Sequence, residues 1–240
     1  LKIFIEYFYY LNELFIFVID YIFMKNDKID DLGKLGKNKA YPKREPIVSR
    51  VSDIDFSGTY SYANYLRWQF DERLELIKGK VFEMAAPAPF HQLVSGRISG
   101  ELYYFLKKQP CRIYPAPFDV RFPDVSKRNK DVYTVLQPDI SIVCDMSKID
   151  KRGCVGPPDI VVEILSPSNN KKDLEYKFAI YEEYGVREYW IVFPDERYLL
   201  KYVRNADGVF IADKPYNGDV DFVSDLLPGF RLNMNEVFED

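Results

Sequence analysis

The segment Asp159-Ile-Val-Val-Glu163-Ile-Leu165 constrains the fold of this chain more than any other. It is nearly continuous in β-branched and apolar residues, as befits a central strand covered on both faces. Glu163 interrupts it. Side chains alternate along a strand, so Glu163 points to the same face as Val161 and Leu165. A lone buried carboxylate costs on the order of several kcal/mol or takes up a proton, and therefore needs a cation or a hydrogen-bond donor. The alternative places Glu163 at the wet end of the strand, facing water. Upstream, Gln137-Pro138-Asp139 opens a second apolar run, Ile140 to Cys144. Proline is tolerated where a strand starts, and the residue after it sits at the strand's mouth. Pro-Asp alone is a common turn dipeptide, but two carboxylates on neighbouring strands make a good site for a divalent cation.

The helix expected after the first run adds a cation. At about 100° per residue from Leu174, Lys177 falls at about 300°, Phe178 at about 40° and Tyr181 at about 340°. Lys177 thus shares the apolar stripe that should face the sheet, whereas Glu175, Glu182 and Glu183 lie elsewhere. One reading lays its stem along apolar surface with the head in water. The other brings it to Glu163, making a carboxylate–ammonium–metal constellation suited to activating a water.

From residue 54 onward the chain reads as a single α/β domain. Residues 60–70 are a short helix candidate. Strand-like runs at 73–77 and 80–84 flank Lys78-Gly79, a two-residue hairpin signal. Residues 91–108 carry apolar side chains at helical spacing. Strands are expected at about 112–122, 136–144 and 159–165, then a helix over 173–184 stopped by Gly185. A strand at 188–193 and a further small strand group from 198 onward close the chain.

Composition bounds the chemistry. The chain has 240 residues, 47% hydrophobic and 29% charged, an ordinary globular mix large enough for one substantial domain. A net charge of -4 argues against coating DNA by bulk charge. Three cysteines without Cys-x-x-Cys spacing make a disulfide scaffold unexpected and point to a reducing cytoplasm. The single histidine, His91, excludes multi-histidine metal sites and favours magnesium or manganese on carboxylates. Residues 1–23 are a separate population: 19 of the 23 are Phe, Ile, Tyr, Leu, Lys or Asn. Glu6, Glu13 and Asp20 break them as a membrane span, so no membrane association is expected. AT-rich codons specify these residue types, and the preferred reading is translated upstream DNA before Met24. Residues 24–53 read as a loose polar tail.

Taken together, Pro138-Asp139, Pro158-Asp159-Ile-Val-Val-Glu163, Lys177, Tyr181, Gly185-Val186 and Glu188-Tyr189-Trp190 resemble the Uma2 family of restriction-endonuclease-type proteins. Upstream, Glu75-Leu-Ile-Lys-Gly79, Ala86-Pro-Ala-Pro89, His91-Gln92 and Phe118-Asp-Val-Arg121 fit as well, so the likeness runs over roughly residues 56–240. It implies the PD-(D/E)xK nuclease superfamily and a restriction-endonuclease-like α/β core of helix, three strands, helix and strand. An N-terminal hairpin and C-terminal strands would be additions. It also implies a metal-dependent endonuclease that hydrolyses DNA, with Mg2+ or Mn2+ as cofactor. Asp139 and Glu163 are then the metal-binding acids. Leu165 stands where the catalytic lysine is usual, and Lys177 matches its migrated position. Glu75 matches a recurrent acid, either a further metal ligand or a brace. His91 matches too, with capping or packing on one side and proton transfer on the other.

The competing reading is a catalytically idle nucleic-acid-binding or interaction module of the same fold. Between Arg97 and Lys130, eight basic residues face three acidic ones, and from Asp195 to Asp240 five face ten. The first stretch is either a solvated face or the rim of a DNA-facing cleft. A homodimer would suit the cutting of two antiparallel strands.

Overall fold

The computed structural model describes residues 47–166, 171–218 and 220–239. The segment read as upstream translation and most of the polar tail lie outside the described residues. The backbone of Val48 pairs with the Arg67–Gln69 stretch. That return shortens the first helix, α1, to Tyr62–Tyr65, capped by the Ser61 side chain. β1 (Leu74–Ile77) and β2 (Lys80–Glu83) form the expected hairpin. Lys78 and Gly79 both take positive φ, 47° and 83°, as a tight two-residue turn of this hand requires. α2 (Pro89–Leu106) starts on proline, whose missing N–H costs nothing in a first turn. Val94, Ile98, Leu102 and Leu106 line its buried face at i, i+4 spacing. Each such side chain contributes roughly 1.5–3 kcal/mol on burial, more than propensity alone could supply.

Prolines then redistribute the strands. The run at 112–122 is two strands, β3 (Arg112–Pro115) and β4 (Val120–Phe122), parted by a segment with a cis Ala116–Pro117 bond. The run at 136–144 likewise divides into β5 (Thr134–Leu136) and β6 (Ile140–Val143), with Gln137-Pro138-Asp139 crossing between. A proline cannot donate to a ladder, so pairing stops there and resumes in a different sheet. β7 (Ile149–Asp150) and β8 (Gly153–Val155), too short for an alternating signal, make another hairpin. β9 (Ile160–Ile164) and β10 (Glu188–Phe193) are parallel neighbours joined through α3 (Lys171–Tyr184). β11 (Tyr198–Arg204), β12 (Phe210–Ala212), the β13 (Phe222–Val223)–β14 (Arg231–Leu232) pair and α4 (Met234–Val237) follow.

One sheet runs β12-β11-β10-β9-β6-β3 and holds the expected core of helix, three strands, helix and strand: α2, then β3, β6 and β9, then α3 and β10. The hairpin is no isolated addition, because it belongs to a second sheet, β2-β1-β5-β4-β8-β7. Ile160, Val162 and Ile164 of β9 join Ile140, Ile142, Trp190, Val192 and the α2 stripe in one core cluster. Alternation sends Glu163 to the opposite face, toward α3. There Phe178 and Tyr181 meet Tyr189 edge-on, with ring centroids 5.9 and 5.0 Å apart.

The cysteines form no multi-bridge scaffold among the described residues, but one disulfide that the sequence reading did not expect. Cys111 and Cys144 are joined as a disulfide across 33 residues. Arg112 faces Val143 in the β3–β6 register, so the next residues out, Cys111 and Cys144, are opposite each other. Cys154 is a buried thiol pushed up to about 11 by burial. Among the described residues no helix is long and apolar enough to cross a membrane.

Candidate active site

The acids sit where strands change partners. Asp139 occupies the crossing into β6, its carbonyl accepting from Ala116 N at 2.9 Å. Continuing the β6–β9 register by one pair sets it opposite Glu163. Asp139 Oδ2 accepts from Ile164 N at 2.8 Å and lies 3.3 Å from His91 Nε2. An ionised carboxylate only accepts, so Nε2 is the donor. The His91 ring hangs from the first turn of α2, and its Nδ1 is buried with no hydrogen-bond partner among the described residues. Asp139 Oδ1 likewise accepts no hydrogen bond among the described residues.

Lys177 reaches Glu163 rather than water. Its Nζ lies 3.3 Å from Glu163 Oε2 and 3.1 Å from Glu75 Oε2, and all three side chains are at least nine-tenths buried. Glu75 reaches it from the middle of β1 in the other sheet, and Glu75 Oε1 accepts from Gln137 N at 2.7 Å. The hairpin and the Pro138 crossing are thereby tied to the central sheet. Tyr181, one turn beyond Lys177, donates to Glu163 Oε1 at 2.6 Å. Sequence reasoning placed Tyr181 in the apolar stripe and in the family pattern but gave it no role at the site, although its i+4 spacing from Lys177 was the available signal.

Burial raises Glu163 above the usual carboxylate range. Lys177 opposes that rise, the charges of Asp139 and Glu75 add to it, and the Tyr181 hydrogen bond opposes it. Burial and the neighbouring carboxylates also hold the Tyr181 phenol well above its ordinary value, so it remains a donor. A cation bound beside Asp139 and Glu163 would offset the burial and crowding that raise Glu163, and so favour its ionised form. Among the described residues, no group of three or more His, Cys, Asp or Glu side chains is placed to hold a metal ion. Magnesium does not require such a cage: it commonly takes one or two carboxylates and completes its shell with water and substrate phosphate. Asp139 and Glu163, hard oxygen donors side by side with Asp139 Oδ1 open, fit that pattern.

Four arginines of the basic stretch are engaged within the chain. Arg97 donates to the carbonyls of Val237 and Glu239, and Arg112 to those of Gln109 and Cys111. Arg121 is buried against Asp150, and Arg128 Nε pairs with Asp131 at 2.7 Å.

Comparison with known proteins agrees with this architecture. The crystal structure of a "putative nuclease belonging to DUF820" from Anabaena variabilis ATCC 29413 superposes with a TM-score of 0.59. The match covers 75% of this chain and 97% of that one at 18% identity, a likeness of fold. An uncharacterized protein of Synechocystis sp., slr1290, is 29% identical over 147 residues, 60% of this chain and 74% of that protein. The family model for Uma2, described as "Putative restriction endonuclease", matches residues 62–235. That span carries every residue of the polar cluster, and the chain belongs to the Uma2 family.

Proposed function

We propose that this protein is a divalent-metal-dependent endonuclease that hydrolyses DNA phosphodiester bonds. Asp139 and Glu163 hold Mg2+ or Mn2+, with Lys177, Glu75 and His91 in support. One observation carries the reading: an open oxygen of Asp139 beside Glu163, whose own carboxylate is gripped by a buried lysine. When bound, the metal supplies charge stabilisation at the scissile phosphate and lowers the pKa of a water. Lys177 would position an attacking water for in-line displacement. Glu75, with one oxygen on Gln137 N and the other on Lys177, holds the ammonium in place. His91 Nε2 and Ile164 N hold Asp139 Oδ2, which leaves Oδ1 as the oxygen that would take the cation. No serine or cysteine nucleophile is needed, because hydrolysis of a phosphodiester requires no covalent intermediate.

The test pairs calorimetric titration of Mg2+ with cleavage of plasmid, linear duplex and single-stranded DNA. Asp139→Asn and Glu163→Gln should each weaken metal binding by at least the roughly 10–100-fold that loss of an outer-shell partner costs. The melting temperature of Asp139→Asn in metal-free buffer should not fall, since that change removes a like charge from the cluster. Equal metal binding by the parent and both variants refutes the site. Tight binding without cleavage of any nucleic acid marks the idle module instead.

A further inference from the structure

The geometry points to a further positioning residue: we propose that Tyr181 sets which oxygen of Glu163 faces the metal ion. The assignment rests on the metal-dependent reading of the site. A glutamate carboxylate is loosely held about its last torsion, whose preferences are broad and roughly two-fold. Glu163 is nonetheless gripped at both oxygens from one rigid element, Oε1 by the Tyr181 hydroxyl at 2.6 Å and Oε2 by Lys177 Nζ at 3.3 Å. The two donors stand four residues apart on α3, one above the other on the face turned to β9. With the hydroxyl removed, Oε1 would lose its donor and Lys177 alone would hold the carboxylate, through Oε2. The carboxylate could then turn about Lys177 and meet the cation differently.

Tyr181 is itself over-determined. Its ring is fully buried, edge-on to Tyr189 at 5.0 Å and tilted against Phe122 at 6.0 Å. Its carbonyl accepts from Gly185 N at 3.2 Å and Val186 N at 2.9 Å, so the helix cap fixes its backbone. Gly185, at φ 88°, makes that cap with no penalty from a Cβ. The hydroxyl is therefore delivered to Glu163 by a ring that has no other place to go. Tyr181→Phe deletes the hydroxyl and keeps the packing.

The experiment uses the full chain, with Mn2+ and Mg2+ titrated by calorimetry and plasmid cleavage resolved into kcat and KM. Tyr181→Phe should lower metal affinity or kcat by about 10–100-fold, the range for an outer-shell partner, with KM for DNA within about threefold. Tyr184→Phe on the same helix, whose hydroxyl meets Asp124 at the surface, should leave both unchanged. Melting temperatures measured without metal identify a merely structural role. A Tyr181→Phe protein that melts lower yet keeps parental metal affinity and kcat overturns the assignment. A parent that binds neither metal overturns the reading of the site and this assignment with it. A parent that binds metal and a variant that binds it equally, with equal kcat, overturn this assignment alone.

Discussion

Lys177 balances the buried charge at the level of single residues. Its ammonium stands between Glu75 and Glu163 with about one-twentieth of its surface exposed. Removing one partner of a buried pair costs about 3–5 kcal/mol, because the charge left behind is uncompensated. Lys177→Met should therefore destabilise the metal-free protein on that scale. In a Glu75→Gln background the cost should be smaller, with a coupling of about 0.5–3 kcal/mol in a double-mutant cycle measured by urea unfolding. Additive effects would mean that the two side chains do not interact. Cleavage by Lys177→Met should drop about 100-fold or more if this lysine positions the attacking water. A parental rate would return it to a purely structural role.

Elements are locked together by a second set of buried charges, away from the site. Glu188 opens β10 and is fully buried. It accepts from Trp190 Nε1 at 2.8 Å, Ser224 Oγ at 3.0 Å and Leu226 N at 3.1 Å, fastening the C-terminal segment to the sheet. Lys201 of β11 grips the same segment through Val223 O and Asp225. Burial raises the Glu188 pKa, and its three hydrogen bonds and Lys201 only partly offset the shift. The folded state thus keeps this proton to higher pH than the unfolded chain. The stabilisation is complete below the unfolded carboxylate pKa of about 4.3 and is lost as pH rises from there through the raised folded value. Glu188→Gln removes that titration, so its unfolding free energy should decline less steeply over the same window in denaturation series at several pH values. Parallel slopes for parent and variant would contradict the shift.

At the scale of the whole molecule, part of the basic stretch lies far from the candidate site. His91 begins α2 at the site, whereas Lys107 and Lys108 lie just past its other end, about 24 Å away at roughly 1.5 Å per residue. That is about three Debye lengths at physiological salt, where the screening distance is about 8 Å. Lys107→Gln with Lys108→Gln should therefore leave cleavage unchanged and shift duplex affinity by less than about threefold in fluorescence anisotropy at 0.15 M salt. A loss of affinity with a markedly shallower salt dependence would place DNA along the far end of α2 instead.

Much of this protein is legible one element at a time. The Lys78-Gly79 turn, the Pro89 start of α2, the Gly185 stop of α3 and the in–out alternation of β9 depend on φ preferences and periodicity, which are local properties. Lys177 was within reach of the same logic, since its stripe on α3 follows directly from the strand that carries Glu163. What lay beyond it was every contact made between distant segments: Glu75 with Lys177, Gln137 N with Glu75 across 62 residues, His91 with Asp139 across 48, and the Cys111–Cys144 bond. A pattern of apolar residues states that a strand is buried but not in which sheet, and 112–122 and 136–144 each look like one strand until their halves find different partners. Periodicity determined which face each side chain takes. Only the pairing of the two sheets decided that a buried lysine would have two carboxylates to hold.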